Sequence, residues 1–408
     1  MSDAALPHPI RPVTLHCFNP WHDEAMASVS PHYQPPLAAR RLAADLALLP
    51  AWWAAPGDTV AVLTNTNATT GKTSTTIENP VAAIEKTGTT LVFSGADSVP
   101  AGVGSVAPWG WDALLVRRLG ELGVAEELLP PPGRLAAIRA ASSRLTAVRL
   151  LRAMRDEESC FAGRSEWCTD LEAVRHAVEA LPHTMLKAPW SGSGRGLRQG
   201  FGRLDEALAG WVRRVLSRQG GLSVEPFLTK RCDLALEFEA HPGGQWDYVG
   251  PSVFVTDATG RYAGSLVAPD DVLLRAIDRQ VDLRLVDEAR RLVEQLLPRL
   301  AEGYTGPVGV DMMVVEGKRG EAALHPCVEV NLRRTMGRVA LDLRRHLAAG
   351  LTARFVLARP RIGTPAPMWH GDRLVGGSLP LVPVGATTSV AAYLDVADGS
   401  RGNWSAMM

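Results

Sequence analysis

The sequence predicts an α/β domain at the N-terminus followed by a larger α+β region, on three observations. Short apolar runs flank a helical segment near the start, a Pro130-Pro131-Pro132-Gly133 break interrupts the chain, and strict alternation with a hairpin follows that break. Length agrees, because 408 residues exceed what one ordinary hydrophobic core holds.

Val13 to Phe18, Thr59 to Leu63 and Thr89 to Phe93 are apolar runs with β-branched residues, bounded by Gly, Pro or Asn, and read as buried strands. Between the first two, Leu37 to Leu49 repeats leucine and alanine at helical spacing. Strand, helix, strand predicts a parallel sheet, and residues 1–130 are assigned to this domain. Trp111 to Leu122 and Arg134 to Arg155 are helical by period, and the proline break between them marks the boundary. Beyond it, Thr184 to Lys187 is a strand entering a Gly/Ser loop, Leu204 to Ser217 a helix, and Leu222 to Leu228 a strand. In Cys232 to Ala240, Leu234, Leu236 and Phe238 alternate with Ala235, Glu237 and Glu239, which predicts a half-exposed antiparallel strand. Trp246 to Thr256 and Arg261 to Val267 continue it as a hairpin about the Asp257-Ala258-Thr259-Gly260 turn. An amphipathic helix, Val281 to Leu300, precedes strands Val308 to Val315 and Ala322 to Asn331, and Gly337 to Leu351 is a closing helix. Residues 352–408 form a Pro- and Gly-rich C-terminal extension with weak strand patterns.

Composition narrows the partners. Lys+Arg 43 against Asp+Glu 43 gives a net charge of +0, so no bulk field favours nucleic acid or an anionic membrane surface. The longest apolar stretch, Leu42 to Ala55, contains Asp45 and Pro50 and falls short of the ~20 residues of a spanning helix, so it reads as buried. Met1 to Pro12 has no basic segment leading into an apolar run, and a cytoplasmic location is expected. Cys17, Cys160, Cys168, Cys232 and Cys327 lack Cys-x-x-Cys spacing, which argues against a zinc site or a disulfide framework.

The chemistry concentrates in a few segments. Lys187 at a strand end is followed by Ser191, Gly192, Ser193, Gly194, Arg195 and Gly196. Glycines let backbone N–H groups approach an anion, seryl hydroxyls add donors, and the lysine adds charge, so the loop suits phosphate. Taken alone, the same composition also suits a flexible linker. Glu225 interrupts the apolar Val224-Glu225-Pro226-Phe227-Leu228 run and Asp233 follows shortly; by itself Glu225 also reads as an edge charge. Two-residue periodicity puts Glu329 and Asn331 on one face, and Asp311 lies on the preceding strand. Three oxygen-bearing side chains on rigid strands suit Mg²⁺ carrying nucleotide phosphates, the alternative being solvated strand positions. Arg333 takes the next same-face position. His22 and Asp23 follow the first strand, where open α/β sheets gather ligands, and are candidate substrate contacts; otherwise Asp23 caps the next segment and His22 is exposed.

The order of these motifs resembles the ATP-grasp superfamily over roughly Arg134 to Leu351. The resemblance implies a Rossmann-like pre-ATP-grasp domain over residues 1–130, then a two-subdomain ATP-grasp fold over residues 131–351, divided at 220/221. It implies that the Lys187 loop covers phosphates, that Glu225, Pro226, Phe227 and Leu228 form the adenine-binding hinge, and that Asp233 lies near the ribose. Asp311, Glu329 and Asn331 match magnesium ligands, and Arg333 matches the arginine that steadies an acyl phosphate. Arg144, in Ser143-Arg144-Leu145, stands where the family commonly has a second phosphate-binding lysine, and arginine prefers planar bidentate contacts. The implied activity is ATP- and Mg²⁺-dependent joining of a small-molecule carboxylate to an amine, with homo-oligomerisation left open. Against it stands Gly71-Lys72-Thr73 in the Thr64 to Thr76 segment, similar to a P-loop but with Thr66 where that loop needs glycine. A P-loop NTPase, or a nucleotide-binding protein without catalysis, is the alternative.

Overall fold

A computed structural model describes residues 11–63, 76–78, 81–93, 99–192, 194–257, 260–317 and 319–397. The Gly71-Lys72-Thr73 segment and Ser193 lie outside the described residues.

The apolar runs near the start form β1 (Val13–Cys17), β2 (Thr59–Val62) and β3 (Thr90–Phe93), joined by a fourth strand, β4 (Val103–Pro108), that the sequence pattern does not reveal. The order is β3-β2-β1-β4 and each pair is parallel, as strand, helix, strand predicts. After β1 come α1 (His22–Ser28) and α2 (Leu37–Asp45); α3 (Ala113–Glu121) packs Leu114, Leu115 and Leu119 onto Leu15 and Cys17. The helix expected to reach Leu49 ends at Asp45, before a 3₁₀ turn over Leu49–Trp52 that contains Pro50. Proline has no N–H with which to continue the ladder.

The single helix expected from Arg134 to Arg155 is two, α4 (Pro132–Ala141) and α5 (Arg144–Glu157). Ser142 Oγ bonds back to Ile138 O at 2.8 Å and Ser143 Oγ accepts from Leu145 N, so the two serines end one helix and cap the next. Next, β5 (Glu166–Cys168), β6 (Thr184–Lys187), β7 (Leu197–Gly200) and β8 (Leu222–Pro226) form an antiparallel sheet in the order β5-β8-β6-β7. Helices α6 (Leu171–Glu179) and α7 (Glu206–Gln219) bury Val174 and Val212 with Leu186 and Val224 on one of its faces.

The largest sheet begins with β9 (Lys230–Ala240), β10 (Trp246–Thr256) and β11 (Tyr262–Val267). Helices α8 (Asp270–Asp278) and α9 (Leu283–Leu300) follow, then β12 (Gly306–Glu316), β13 (Ala322–Asn331) and α10 (Met336–Leu343). From the C-terminal extension come β14 (Ala353–Ala358), β15 (Ser378–Pro380) and β16 (Ala391–Val396). The antiparallel order is β13-β12-β9-β10-β11-β14-β16-β15. The weak patterns after residue 351 thus continue a sheet that begins more than a hundred residues earlier.

One face of this sheet is the main core, where Leu234, Leu236 and Phe238 meet α9 and α5 through Leu292, Leu150 and Leu151. Here β9 departs from its prediction. Ala235 and Glu237, expected to face water, are each 1% exposed. Alternation is present, but the second face is covered by protein. Among the described residues no helix is long and apolar enough to cross a membrane.

Candidate functional site

The predicted residues converge where the small sheet faces the large one. Lys187 pairs with Ser223 in register and Met185 with Glu225, so Lys187 and Glu225 share the face opposite the Leu186 and Val224 core. Lys187 Nζ lies 2.6 Å from Glu225 Oε2 and donates to Val328 O on β13 at 3.4 Å, bridging the two sheets. Glu225 Oε1 also accepts from Ser165 Oγ at 3.1 Å and Ser223 Oγ at 3.4 Å. Pro226 ends β8. Phe227 is 42% exposed, its ring stacked on His183 with centroids 4.0 Å apart, and Leu228 is half-buried beside it. Asp233 pairs with Lys230 and accepts from Thr256 Oγ1 at 3.2 Å.

Arg144, at the first position of α5, ties the Lys187 loop to the large sheet. Its backbone N–H donates to Pro189 O, Nε donates to Ala188 O at 3.0 Å, and Nη2 lies 3.1 Å from Glu329 Oε1 and 3.4 Å from Ser191 O. Trp190 anchors the loop: its indole N–H donates to Arg139 O at 2.9 Å while the Arg139 guanidinium lies 3.6 Å over its ring. Gly194 has φ +74°, a left-handed conformation that favours glycine. A Cβ on Gly192 would lie 2.6 Å from Asp23 Oδ2, and a Cβ on Gly196 would lie 2.3 Å from Ser191 Oγ. The loop therefore packs against α1, where Arg195 pairs with Glu24. Asp23, on the same helix, accepts both Nε and Nη2 of Arg333 at 3.2 Å. Its neighbour His22 is neither exposed nor beside Arg333; it is buried against Gly110, with Nδ1 3.7 Å from Asp112 Oδ2. Nor does Asp23 cap a helix, since α1 has no side-chain cap.

Register sets the acidic face. Asp311 stands opposite Glu329 and Ala235, and Gly309 opposite Asn331 and Glu237, so all four polar side chains share one face. Burial, then the Glu329 and Glu237 carboxylates, pushes the Asp311 carboxyl well above the usual carboxylate range, against Arg333 and a hydrogen bond with Asn331. Glu237 is pushed up to about 7, chiefly by burial, although Thr335 Oγ1 donates to it at 2.7 Å. Its Oε2 is buried without a hydrogen-bond partner. A Cβ on Gly337 would lie 2.3 Å from Glu237 Oε1, so the start of α10 closes tightly over this acid. Sequence reasoning set Glu237 toward solvent, and its alternation with leucine was the available signal. Among the described residues, no group of three His, Cys, Asp or Glu side chains is placed to hold a metal ion. Asp311, Glu329 and Asn331 supply two carboxylates and an amide oxygen. Their crowding, which burial leaves uncompensated, suits a hard divalent cation.

Two antiparallel sheets thus face each other across paired lysine, arginine and carboxylate groups, beside a parallel N-terminal sheet. No protein-family profile matches the chain, and no curated protein matches it. Among solved structures, biotin carboxylase of Campylobacter jejuni in a β-γ-ATP complex is similar at a TM-score of 0.51 and 10% identity, covering 95% of this chain and 88% of that one. The biotin carboxylase domain of Hydrogenobacter thermophilus 2-oxoglutarate carboxylase, a dimer with MgADP, ADP and bicarbonate, is similar at 0.52 and 10% identity, covering 96% and 87%. The chain has the ATP-grasp fold.

Proposed function

We propose that the chain is an ATP-dependent ligase that activates a small-molecule carboxylate as an acyl phosphate and joins it to an amine, releasing ADP and phosphate. The observation that carries this reading is that three cations gather at the Asp311, Glu329 and Asn331 face: Arg144 pairs with Glu329, Lys187 reaches Val328 O on the same strand, and Arg333, held by Asp23, feels the Glu329 and Asp311 charges. On this reading residues 131–351 are the two ATP-grasp subdomains, residues 1–130 bind substrate, and the reaction is cytoplasmic.

The adenine lies along Glu225, Pro226, Phe227 and Leu228, with Asp233 at the ribose. Lys187 leaves Glu225 for the nucleotide, and the Ser191 to Gly196 loop lays its N–H groups over the phosphates. Arg144 replaces the point charge of a lysine with a planar fork that grips both the loop and the metal strand. Asp311, Glu329 and Asn331 hold Mg²⁺, which when bound offsets triphosphate charge. Asp23 keeps the Arg333 fork aimed at the acidic face until the anionic substrate competes for it. Arg333 then steadies negative charge that develops as the carboxylate oxygen bonds to the γ-phosphorus and the bond to ADP breaks. Loop packing on α1 excludes water from the acyl phosphate until the amine attacks its carbonyl carbon and phosphate leaves.

The test uses a carboxylate substrate labelled with heavy oxygen, with candidates found by a product screen with ATP and Mg²⁺. Mass spectrometry should find one labelled atom in inorganic phosphate, only when both substrates are present. Label in AMP would reject the acyl phosphate, and ADP released equally fast without acceptor would make the chain a simple NTPase.

A further inference from the structure

On the far side of the small sheet lies a groove of about 640 Å³ that the proposed reaction borders only at Pro226. Its wall is one face of α5, with Leu145, Val148, Arg149 and Arg152, closed by Arg164, Ser165 and Trp167 at β5 and by His176 of α6. Val224 and Pro226 also line it, and alternation turns these two away from the Glu225 face of β8. The groove therefore lies away from the Glu225 face and shares only Pro226 with the proposed adenine hinge.

Its charge is unbalanced. Arg149, Arg152 and Arg164 are exposed, and none forms an ion pair among the described residues. The lining acid is Glu166, itself exposed on the rim. Other exposed arginines, such as Arg40, Arg203 and Arg279, also form no ion pair among the described residues, whereas Arg284 and Arg291 of α9 do; what marks the groove is that three unpaired ones converge on one apolar floor. Arg149 and Arg152 are three apart on a helix, so their like charges are neighbours. Three unpaired guanidinium forks around an apolar floor fit oxyanions bidentately, and the volume lies within the usual range for small-molecule sites.

We propose that this groove binds a small organic polyanion, a phosphate ester or a polycarboxylate with an apolar body, and that its occupancy is felt at the Lys187 and Glu225 pair. The path is short. Ser165 lines the groove next to Arg164, and its Oγ donates to Glu225 Oε1 at 3.1 Å, while Glu225 Oε2 holds Lys187 at 2.6 Å. An anion that draws Arg164 inward moves Ser165 and so changes how firmly Glu225 holds Lys187. The coupling rests on the ATP reading of Lys187; the binding does not.

Calorimetric titration of the full chain without magnesium, using naphthyl phosphate, naphthalene dicarboxylate and neutral naphthol, separates the possibilities. At least one anion should bind and naphthol should not, with the tighter anion identifying the head group. Arg149→Gln with Arg152→Gln should weaken that anion by about tenfold or more, the loss expected for charge-assisted hydrogen bonds, while Arg284→Gln on α9, outside the groove, leaves it unchanged. These arginines are exposed, and circular dichroism verifies the fold. Absence of binding by both anions, equal binding by the double variant, or equal binding of naphthol would overturn the site. For the coupling, a saturating anion should shift the Kd of a non-hydrolysable ATP analogue by roughly threefold, and Ser165→Ala should abolish the shift while keeping anion binding. An unshifted Kd would overturn the coupling alone. An analogue that fails to bind at all would overturn the coupling and the ATP reading together, leaving the groove to its own titration.

Discussion

Lys187 is buried, and its ammonium is held by a carboxylate on one strand and a carbonyl on another sheet. Replacing it should act on ATP before it acts on folding, because Glu225 keeps Ser165 and Ser223 as donors. Lys187→Ala is expected to weaken a non-hydrolysable ATP analogue by roughly ten- to a hundredfold in calorimetry, with Lys72→Ala nearly silent. The opposite ranking would return the P-loop reading. His325 gives a second prediction at this scale. Burial against Gly163, then nearby Lys187, pushes its imidazole down to about 4, with Glu225 opposing. The folded state keeps His325 neutral where the unfolded chain, titrating near 6.5, takes up a proton. Its contribution is complete above about pH 6.5 and is lost as pH falls toward about 4, on the order of 2–3 kcal/mol. Urea denaturation between about pH 7 and about pH 4.5 should show this slope, and His325→Gln should flatten it. A slope that persists in the variant would assign the acid sensitivity to other groups.

Serine and threonine decide where two helices of the site begin. Ser143 caps α5 and thereby sets Arg144 at the loop; Thr335 caps α10 by accepting from Arg338 N at 2.9 Å while donating to Glu237. Thr335 thus fixes the turn that carries Arg333 and satisfies half of a buried acid. Thr335→Val keeps the volume and removes both bonds, so chemical denaturation should register a loss of about 2 kcal/mol. A loss below a few tenths of a kcal/mol would mean that water replaces both contacts. The capping serines were legible as residue types, yet the break between α4 and α5 was not, because Arg134 to Arg155 keeps its helical period across it. Strand order was equally hidden: β4 was missed, and the strands after residue 351 have too little alternation to be read without their neighbours.

At the scale of the molecule, the two ends of the chain share one core. Phe18, Trp52 and Val60 pack with Phe355, Tyr393 and Leu394, and with Val339 and Leu343 of α10. Polar contacts repeat the link: Trp52 Nε1 donates to Leu381 O at 2.6 Å, and Asp45 accepts from Ser389 N and Val390 N at 2.9 and 3.0 Å. Asp45, the acid that interrupts the apolar stretch from Leu42 to Ala55, is there for this contact. Phe355 is fully buried, so Phe355→Ala should cost about 3–5 kcal/mol through lost transfer energy and the cavity left behind. Hydrogen exchange read by mass spectrometry should then show protection falling in β2 as well as in β14 and β16. Loss confined to residues 353–396 would mean that the N-terminal sheet holds itself.

Periodicity and turn chemistry, being local, were enough to set three of the four parallel strands near the start, the hairpin of β10 and β11, and the Asp311, Glu329 and Asn331 positions on facing strands, while Arg333, expected at the next strand position, lies in the bend after β13. The resemblance to the ATP-grasp fold came from the order of the motifs, not from periodicity. What such local signals cannot carry is the identity of a residue's neighbours across space. Asp23 and Arg333 meet across 310 positions, and nothing along the chain pairs them. Glu237 has the sequence pattern of a solvent-facing acid, but strand order puts β12 beside it and α10 over it, so it is buried at the centre of the acidic face. Alternation determines which side of a strand a residue takes; only tertiary packing determines whether water, another sheet or a ligand lies on that side.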